Sequence, residues 1–419
     1  MIYPSIDLSE GKAVQLVSGR AKVLERDDPL ALAESFSRFG EISVIDLDAA
    51  MEKGDNRNLI REICRIAPCR VGGGIRTIEA AREAMSLGAV KVIVGTRAFQ
   101  EDSVDFTFLE KLCRTIGRNH IIVAIDAENG EIVTRGWRHR TGLHVLSVVR
   151  DLEPLVSEFL FTVVEKEGRM AGTDIPAILE IRRQTQKPIT AAGGVASIPE
   201  IEELARSRID VQLGMALYTG KIDLAAGFVA SLDWSKGLIP TITADREGQV
   251  LMVAYSSRES LQKTLAGGWM WYHSRSRGRL WQKGETSGHV QKLVRIRADC
   301  DQDSLLAEVE QQGNACHLDR YSCFADKRFG LGDLFDVVTE RVRQPEPGSY
   351  TASLTPAKVR AKLLEEAQEV TEASSRDAVI WEAADVLYFL TVLLQQQGVG
   401  YEEVYHELRR RRWQPRRDG

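Results

Sequence analysis

Ile6-Asp7-Leu8-Ser9-Glu10-Gly11 returns as Ile125-Asp126-Ala127-Glu128-Asn129-Gly130, 119 residues further along the chain. Two more runs return in the same order: Val71-Gly72-Gly73-Gly74-Ile75 near Ala192-Gly193-Gly194-Val195, and Val94-Gly95-Thr96 near Leu213-Gly214-Met215. A period this long describes duplicated half-domains rather than a solenoid of short units. Between the repeated runs, apolar stretches such as SVIDLD, VKVIVG, IIVAID and FLFTVV alternate with helix-like stretches such as PLALAESFSRFG. At about thirty residues per unit, that cadence is strand, helix, strand. Eight units over about 230 residues predict a (β/α)8 TIM barrel with its active site at the carboxyl ends of the strands.

On a barrel, Asp7 and Asp126 end the first and fifth strands and face one another across the mouth. Two carboxylates so placed serve as general acid and general base. A single aspartate at a strand end is more often a turn or cap residue, and the duplication is what argues for chemistry here. The glycine runs predict two phosphate cradles, one from Gly73, Gly74, Gly95 and Thr96 and the other from Gly193, Gly194 and Gly214. Backbone N–H groups at such turns accept an anion, so the substrate is expected to carry a phosphate at each end. Residues 1 to about 230 resemble ProFAR isomerase through VIDLDAA, VGGGIRT, GTRAF, AIDAENG, Gly136-Trp137, TAAGGVAS and GMALY. That resemblance implies an Amadori rearrangement of an aminoaldose to an aminoketose, with Asp7, Asp126 and Thr162 as the catalytic set. The chain departs from the family at Val163 and Glu167, where aspartates are usual, and in its first loop at Ser18-Gly19-Arg20.

A second segment mixes hard and soft metal ligands. Asp299, Cys300, Asp301, Gln302 and Asp303 are followed by Cys316-His317 and Cys323. If extended, this run alternates its side chains, putting three aspartates on one face and Cys300 on the other. Carboxylates suit magnesium and thiolates suit zinc, and three thiolates leave a coordination position open. Upstream, Arg275, Arg277, Arg279 and Lys283 precede Glu285-Thr286-Ser287, a set suited to a phosphate ester. With LMVAY, IRADCDQD and ACHLDRYSCF, residues 232 to 325 resemble phosphoribosyl-AMP cyclohydrolase. The resemblance implies Zn2+ on Cys300, Cys316 and Cys323, Mg2+ at Asp299, Asp301 and Asp303, and His317 close to the chemistry. It further implies zinc-activated water that opens the adenine ring, and a dimer whose zinc cysteines come from two subunits.

After the turn-rich Gln344-Pro345-Glu346-Pro347-Gly348, the chain reads as a helical hairpin. Glu366 and Glu369 share one helical face, and Glu382 and Asp385 share another. Acid pairs at this spacing are usually solvated, but Asp385 lies within AADVLYFLTVLL, where an unpaired carboxylate is costly. The pattern resembles phosphoribosyl-ATP pyrophosphohydrolase and related helical, MazG-like pyrophosphatases. That implies Mg2+ held by the four carboxylates, cleavage between the α and β phosphorus atoms, phosphate contacts from Ser349-Tyr350-Thr351 and Lys362, and pairing of helical domains across chains.

Composition agrees with a multidomain enzyme. The 419 residues are 43% hydrophobic and 27% charged, with a net charge of −5, which gives no overall nucleic-acid signature. Arg409 to Arg412 and Arg416-Arg417 read as the charged end of the last helix rather than a nucleic-acid tail. Six scattered cysteines fit a reducing cytoplasm, with Cys64, Cys69 and Cys113 as plain thiols. Neither a signal peptide nor a membrane span is expected, Val386 to Leu394 being too short. The expected organisation is a TIM barrel at 1–231, a small α+β zinc-dependent domain at 232–330 and an all-α domain at 331–419. The three resemblances are to successive reactions on phosphoribosyl nucleotides in histidine biosynthesis, carried in reverse order. The alternative is a bifunctional C-terminal enzyme whose barrel is a degenerate binding or assembly module.

Overall fold

The computed structural model describes residues 1–17, 19, 21–100, 103–344 and 348–413. Ser18 and Arg20 of the first loop, Pro345 to Pro347 of the linker and Arg416-Arg417 lie outside them. Among the described residues one sheet holds β1 (Ile2–Ser9), β2 (Lys12–Val17), β3 (Ala21–Arg26), β4 (Ile42–Asp46), β5 (Cys69–Gly72), β6 (Lys91–Val94), β7 (Ile121–Glu128), β8 (Glu131–Thr134), β9 (His139–His144), β10 (Glu158–Val163), β11 (Ile189–Ala192) and β12 (Ile209–Leu213). Eight of these run parallel in the order β1-β4-β5-β6-β7-β10-β11-β12, and β12 returns to β1 to close the barrel. Strands buried on both faces need continuous apolar sequence, and Ile42, Val44, Val92, Val94, Ile121 and Val123 supply it. Helices between them are capped as their sequences suggest: Thr77 accepts from Ala80 N to open Ile78–Leu87, and Gly88, at φ 114, ends it.

Two hairpins extend the barrel where the sequence suggested only strand ends. β1 runs past Asp7 into β2 and β3, and β7 runs past Asp126 into β8 and β9. The connecting turns are twins, Glu10-Gly11 at φ 53 and 77 and Asn129-Gly130 at φ 53 and 78, two left-handed residues as a tight hairpin requires. The duplication therefore extends to backbone torsion.

Beyond the barrel come β13 (Ile239–Ala244), β14 (Val250–Ser256), β15 (Trp271–Ser274), β16 (Arg279–Gln282), β17 (Gln291–Ala298) and β18 (Leu305–Gln311). Four of them form a mixed sheet in the order β14-β13-β18-β17, while β15 and β16 pair as a separate hairpin. Phe39, Phe228, Val229 and Leu232 of the barrel region pack in one core with Leu251, Leu261, Ile296 and Val309. Met1–Ala325, with Arg410 to Trp413, accordingly form one compact unit, and the division expected near residue 231 falls inside it.

Asp326–Arg409 form the second unit. Helices Leu331–Arg343, Pro356–Glu372 and Arg376–Gln396 bury Val338, Leu354, Val359, Phe389 and Val392. Thr355 and Ser375 cap the two long helices, and Pro356 occupies a first-turn position where its missing N–H costs nothing. No helix among the described residues is long and apolar enough to cross a membrane.

Three candidate active sites

At the barrel mouth the predicted carboxylates meet a third. Asp7, on β1, accepts from Ser5 Oγ at 2.7 Å, and burial pushes its pKa up to about 6. Asp126, on β7, is likewise raised by burial, opposed by hydrogen bonds from Trp137 and Thr162; Trp137 Nε1 donates at 2.9 Å. Thr162 lies directly across from Asp126 in the β7–β10 register. Glu167 is raised to about 7, by burial first and then by the charges of Asp7 and Asp126. The sequence marked Glu167 only as a departure, whereas the structure brings it to the same carboxylate cluster.

A cavity of about 50 Å³ is lined by Asp7, Glu167, Gly193, Gly194 and Gly214. A second cavity, of about 330 Å³, lies between Thr96, Arg76, Arg97, Arg135 and His139; of the residues expected in that cradle Thr96 lines it, while Gly73, Gly74 and Gly95 do not. Gly95 and Gly214 share backbone torsions, φ −100, ψ −107 and φ −115, ψ −97, each opening a short helical turn. Gly73 presses on the Asp46 backbone as Gly193 presses on that of Val163, so these two positions correspond in the two halves. Thr96 Oγ1 accepts from Arg135 N at 3.0 Å, which ties it to the loop after β8 as well as to the cavity. Arg76, Arg135 and His139 were not singled out from sequence, although Arg76 directly follows the glycine run.

Asp46 explains the missing aspartate at 163. Its carboxylate accepts from Ala49 N at 3.1 Å, Asn56 N at 2.8 Å and Asn56 Nδ2 at 2.8 Å, and is thus used in organising a loop. The neighbouring Asp48 holds the Glu10 turn through Glu10 N at 2.6 Å, and Glu165 accepts from Asn129 N in the other half. Val163 therefore removes a loop bond from the second half and leaves Asp7, Asp126 and Thr162 intact.

In the second segment the run from Asp299 to Asp303 is a turn, not the extended stretch anticipated. β17 and β18 pair up to Ala298 and Leu305, so the chain must reverse between them. Gln302 takes φ 66, and Asp299 Oδ1 accepts from Asp303 N and Ser304 N, both at 3.1 Å. The turn nonetheless gathers oxygens of Asp299, Asp301 and Asp303 within 4.8 Å of one another, a donor set that fits a hard cation. Lys236 pairs with Asp303 at 2.7 Å and holds its pKa down.

Cys316 is buried and Cys323 exposed, and their sulfurs share a hydrogen bond. Burial and then the charge of Cys316 raise the Cys323 pKa, with Lys283 opposing. Lys283 lies buried near these thiols, apart from the exposed Arg275, Arg277 and Arg279 with which the sequence grouped it. Arg275 stacks 3.9 Å from the Tyr255 ring centroid. Glu285, Thr286, Ser287 and His317 are exposed. Cys300 is exposed on its own turn and joins no cluster of metal-binding groups among the described residues.

In the helical unit Glu366, Glu382 and Asp385 place oxygens within 4.8 Å of one another, again an oxygen-only donor set. Glu369 adjoins them through a hydrogen bond with Glu382, its pKa raised by burial and by that neighbour. Lys362 pairs with Glu365 at 2.9 Å and Glu366 at 3.5 Å. Ser349 caps a short helix and Thr351 Oγ1 lies 2.8 Å from Tyr388 OH, so both hydroxyls already have partners within the protein.

Three family models match in N-to-C order: Histidine biosynthesis protein over residues 1–223, Phosphoribosyl-AMP cyclohydrolase over 252–325 and Phosphoribosyl-ATP pyrophosphohydrolase over 331–412. The 1-(5-phosphoribosyl)-5-((5-phosphoribosylamino)methylideneamino)imidazole-4-carboxamide isomerase of Methanocaldococcus jannaschii is 37% identical over 231 residues, 54% of this chain and 96% of that one. The histidine biosynthesis bifunctional protein HisIE of Pyrococcus furiosus is 41% identical over 200 residues, 43% of this chain and 95% of that one. HisIE of Gloeobacter violaceus is 46% identical over 191 residues, 42% and 88% of the respective chains. With its closed barrel, its duplicated glycine runs and a match over more than half its length, the chain belongs to the histidine biosynthesis protein family.

Proposed function

We propose that the chain performs three reactions of histidine biosynthesis. It hydrolyses phosphoribosyl-ATP to phosphoribosyl-AMP and pyrophosphate, opens the adenine ring, and isomerises the resulting aminoaldose to the aminoketose. The single observation that carries this reading is that three family matches fall in one chain on three separate clusters of chemically suited side chains.

At the barrel mouth, each glycine cradle binds one phosphate and stretches the substrate across the carboxylates. One carboxyl gives a proton to the sugar-ring oxygen, and the opposed carboxylate takes the proton lost from the adjacent carbon. Asp7 and Glu167, raised to about 6 and 7, hold or release a proton near neutral pH, while Thr162 and Trp137 orient Asp126.

Zn2+ fits the thiols and Mg2+ the two acid clusters. Such ions, when bound, lower the pKa of water and stabilise charge on a leaving pyrophosphate. Cys316 and Cys323 would hold the zinc together with Cys300 of a second copy. Exposed Ile242, Val253 and Leu306, one cross-strand row on the outer sheet face, support pairing of two copies there. Arg275, Arg277 and Arg279 bind the substrate phosphate, and His317 lies beside the ring being opened. The helical segment is read as a MazG-like pyrophosphohydrolase, with exposed Leu364, Ile380 and Trp381 supporting a helical dimer contact. Six cysteines without a disulfide suit the cytoplasm. The domain limits 1–231, 232–330 and 331–419 stand as part of this proposal.

Presenting each intermediate to Asp7→Asn, Cys316→Ala and Glu382→Gln chains tests the assignment. Each variant is expected to lose one step and keep the other two. A variant that loses none, or all three while still folded, contradicts it.

A further inference from the structure

The turn bearing Asp299, Asp301 and Asp303 is fastened to the barrel. Its central residue, Gln302, is 5% exposed and adopts φ 66, a conformation that a residue with a side chain rarely takes without support. Support comes from outside the turn. Gln302 Nε2 donates to Asp210 Oδ1 at 2.9 Å, and the Gln302 carbonyl accepts from Asp233 N at 2.9 Å. The preceding strand is tied down as well: Ile296 N donates to Arg38 O at 2.8 Å, and Arg295 Nε donates to Ser37 O at 3.0 Å. Asp210 sits near the start of β12, on the amino-end face of the barrel, away from the mouth where Asp7 and Asp126 lie.

We propose that this amino-end face is a positioning element for the ring-opening segment. Asp210 and Gln302 together fix the turn so that its three carboxylates converge on a divalent cation. Barrel residues that never meet the cyclohydrolase substrate thereby set the metal affinity of the neighbouring site. The inference rests on reading the acid turn as a cation site. The donor set supports that reading, since three carboxylates offering oxygens within 4.8 Å of one another suit a hard divalent cation, and the Lys236 ion pair engages Asp303 alone of the three.

The test is Mn2+ titration, followed by its electron paramagnetic resonance signal, on the full chain carrying Glu382→Gln to weaken the helical acid cluster. In that background Gln302→Gly keeps a residue suited to left-handed backbone but removes the anchoring amide alone, and Asp210→Ala removes its acceptor together with the ion pair that Asp210 makes with the Met1 amino group at 2.5 Å. Each is expected to bind Mn2+ at the turn about tenfold more weakly, the low end for an outer partner of metal ligands. The double variant should be no weaker than either single one, because both break the same contact. Isomerase turnover should match the parent in both, and melting temperature should match it in Gln302→Gly, which leaves the Met1–Asp210 ion pair in place. Parent-like affinity in both single variants, losses that multiply in the double, or a loss in Gln302→Gly that tracks a lower melting temperature overturn the proposal. Asp301→Asn separates the two levels of the claim. Unchanged Mn2+ binding in that variant removes the cation site and this inference with it, whereas lost binding there with intact binding in Gln302→Gly and Asp210→Ala defeats only the barrel's role.

Discussion

Asp7, Asp126 and Glu167 form a charge cluster that the fold tolerates for the sake of chemistry. Carboxyls ordinarily titrate near about 4. Because Asp7 and Glu167 are raised to about 6 and 7, the folded chain keeps protons that the unfolded chain has already released above about pH 4. Their contribution to stability is therefore complete below about pH 4, declines as pH rises through about 7, and leaves the cost of buried charge above that. Glu167→Gln should raise stability by about 1 to 2 kcal/mol at pH 8 and by almost nothing at pH 4.5, as read by chemical denaturation at the two pH values. Asp126→Asn should keep the hydrogen bond from Trp137 Nε1 yet lower isomerase kcat by about 10²- to 10⁴-fold, the usual range for a lost acid or base. Steady-state rates on purified aminoaldose check it, with cyclohydrolase and pyrophosphohydrolase rates as internal controls. Asp7 and Asp126 were legible in the sequence because duplication wrote them twice. Glu167 was not, because its approach depends on how the loop after β10 folds once Val163 has replaced an acid.

Elements were legible where periodicity is strong and illegible where the chain reverses. The parallel strands read as apolar runs because they are buried on both faces, and helices read from the stretches between them, as PLALAESFSRFG does for Pro29–Ser37. The β1–β2 and β7–β8 hairpins escaped notice because their turns, Glu10-Gly11 and Asn129-Gly130, sit inside the very motif that marks the strand ends. The Asp299–Asp303 run looked extended because alternation of acids imitates a strand, while the pairing of Ala298 with Leu305 forces a reversal that local sequence does not encode. Gly193 shows how tightly an element can constrain one residue. Its φ is 91, and an added Cβ would meet Val163 O at 2.5 Å, contact with backbone that cannot swing aside. Gly193→Ala should lower stability by about 2 kcal/mol or more and raise the isomerase KM more than it lowers kcat, since the loss falls on a phosphate cradle. Denaturant melts and saturation kinetics on the same preparation check both effects.

At the scale of the whole molecule, the barrel and the segment that follows it are one folded body rather than beads on a string. Phe39, Phe228 and Leu232 bury themselves among Leu251, Ile296 and Val309, which no reading of separate domains would anticipate. The position of Cys300, exposed and apart from Cys316 and Cys323, makes a prediction about copies of the chain. Cys300→Ala and Cys316→Ala should each abolish ring opening alone, yet a mixture allowed to exchange subunits should recover about a quarter of the normal rate. Half the dimers would be mixed and each would hold one intact shared site. No recovery, with exchange confirmed by mass, contradicts a zinc site built from two chains. The most direct test of the account as a whole is to give the purified full-length chain phosphoribosyl-ATP with magnesium and zinc and to resolve the products by chromatography. Formation of the aminoketose, halted at the aminoaldose by Asp7→Asn, is the predicted result. Accumulation of the aminoaldose by the unaltered chain, indistinguishable from Asp7→Asn, would show that the barrel is not an isomerase.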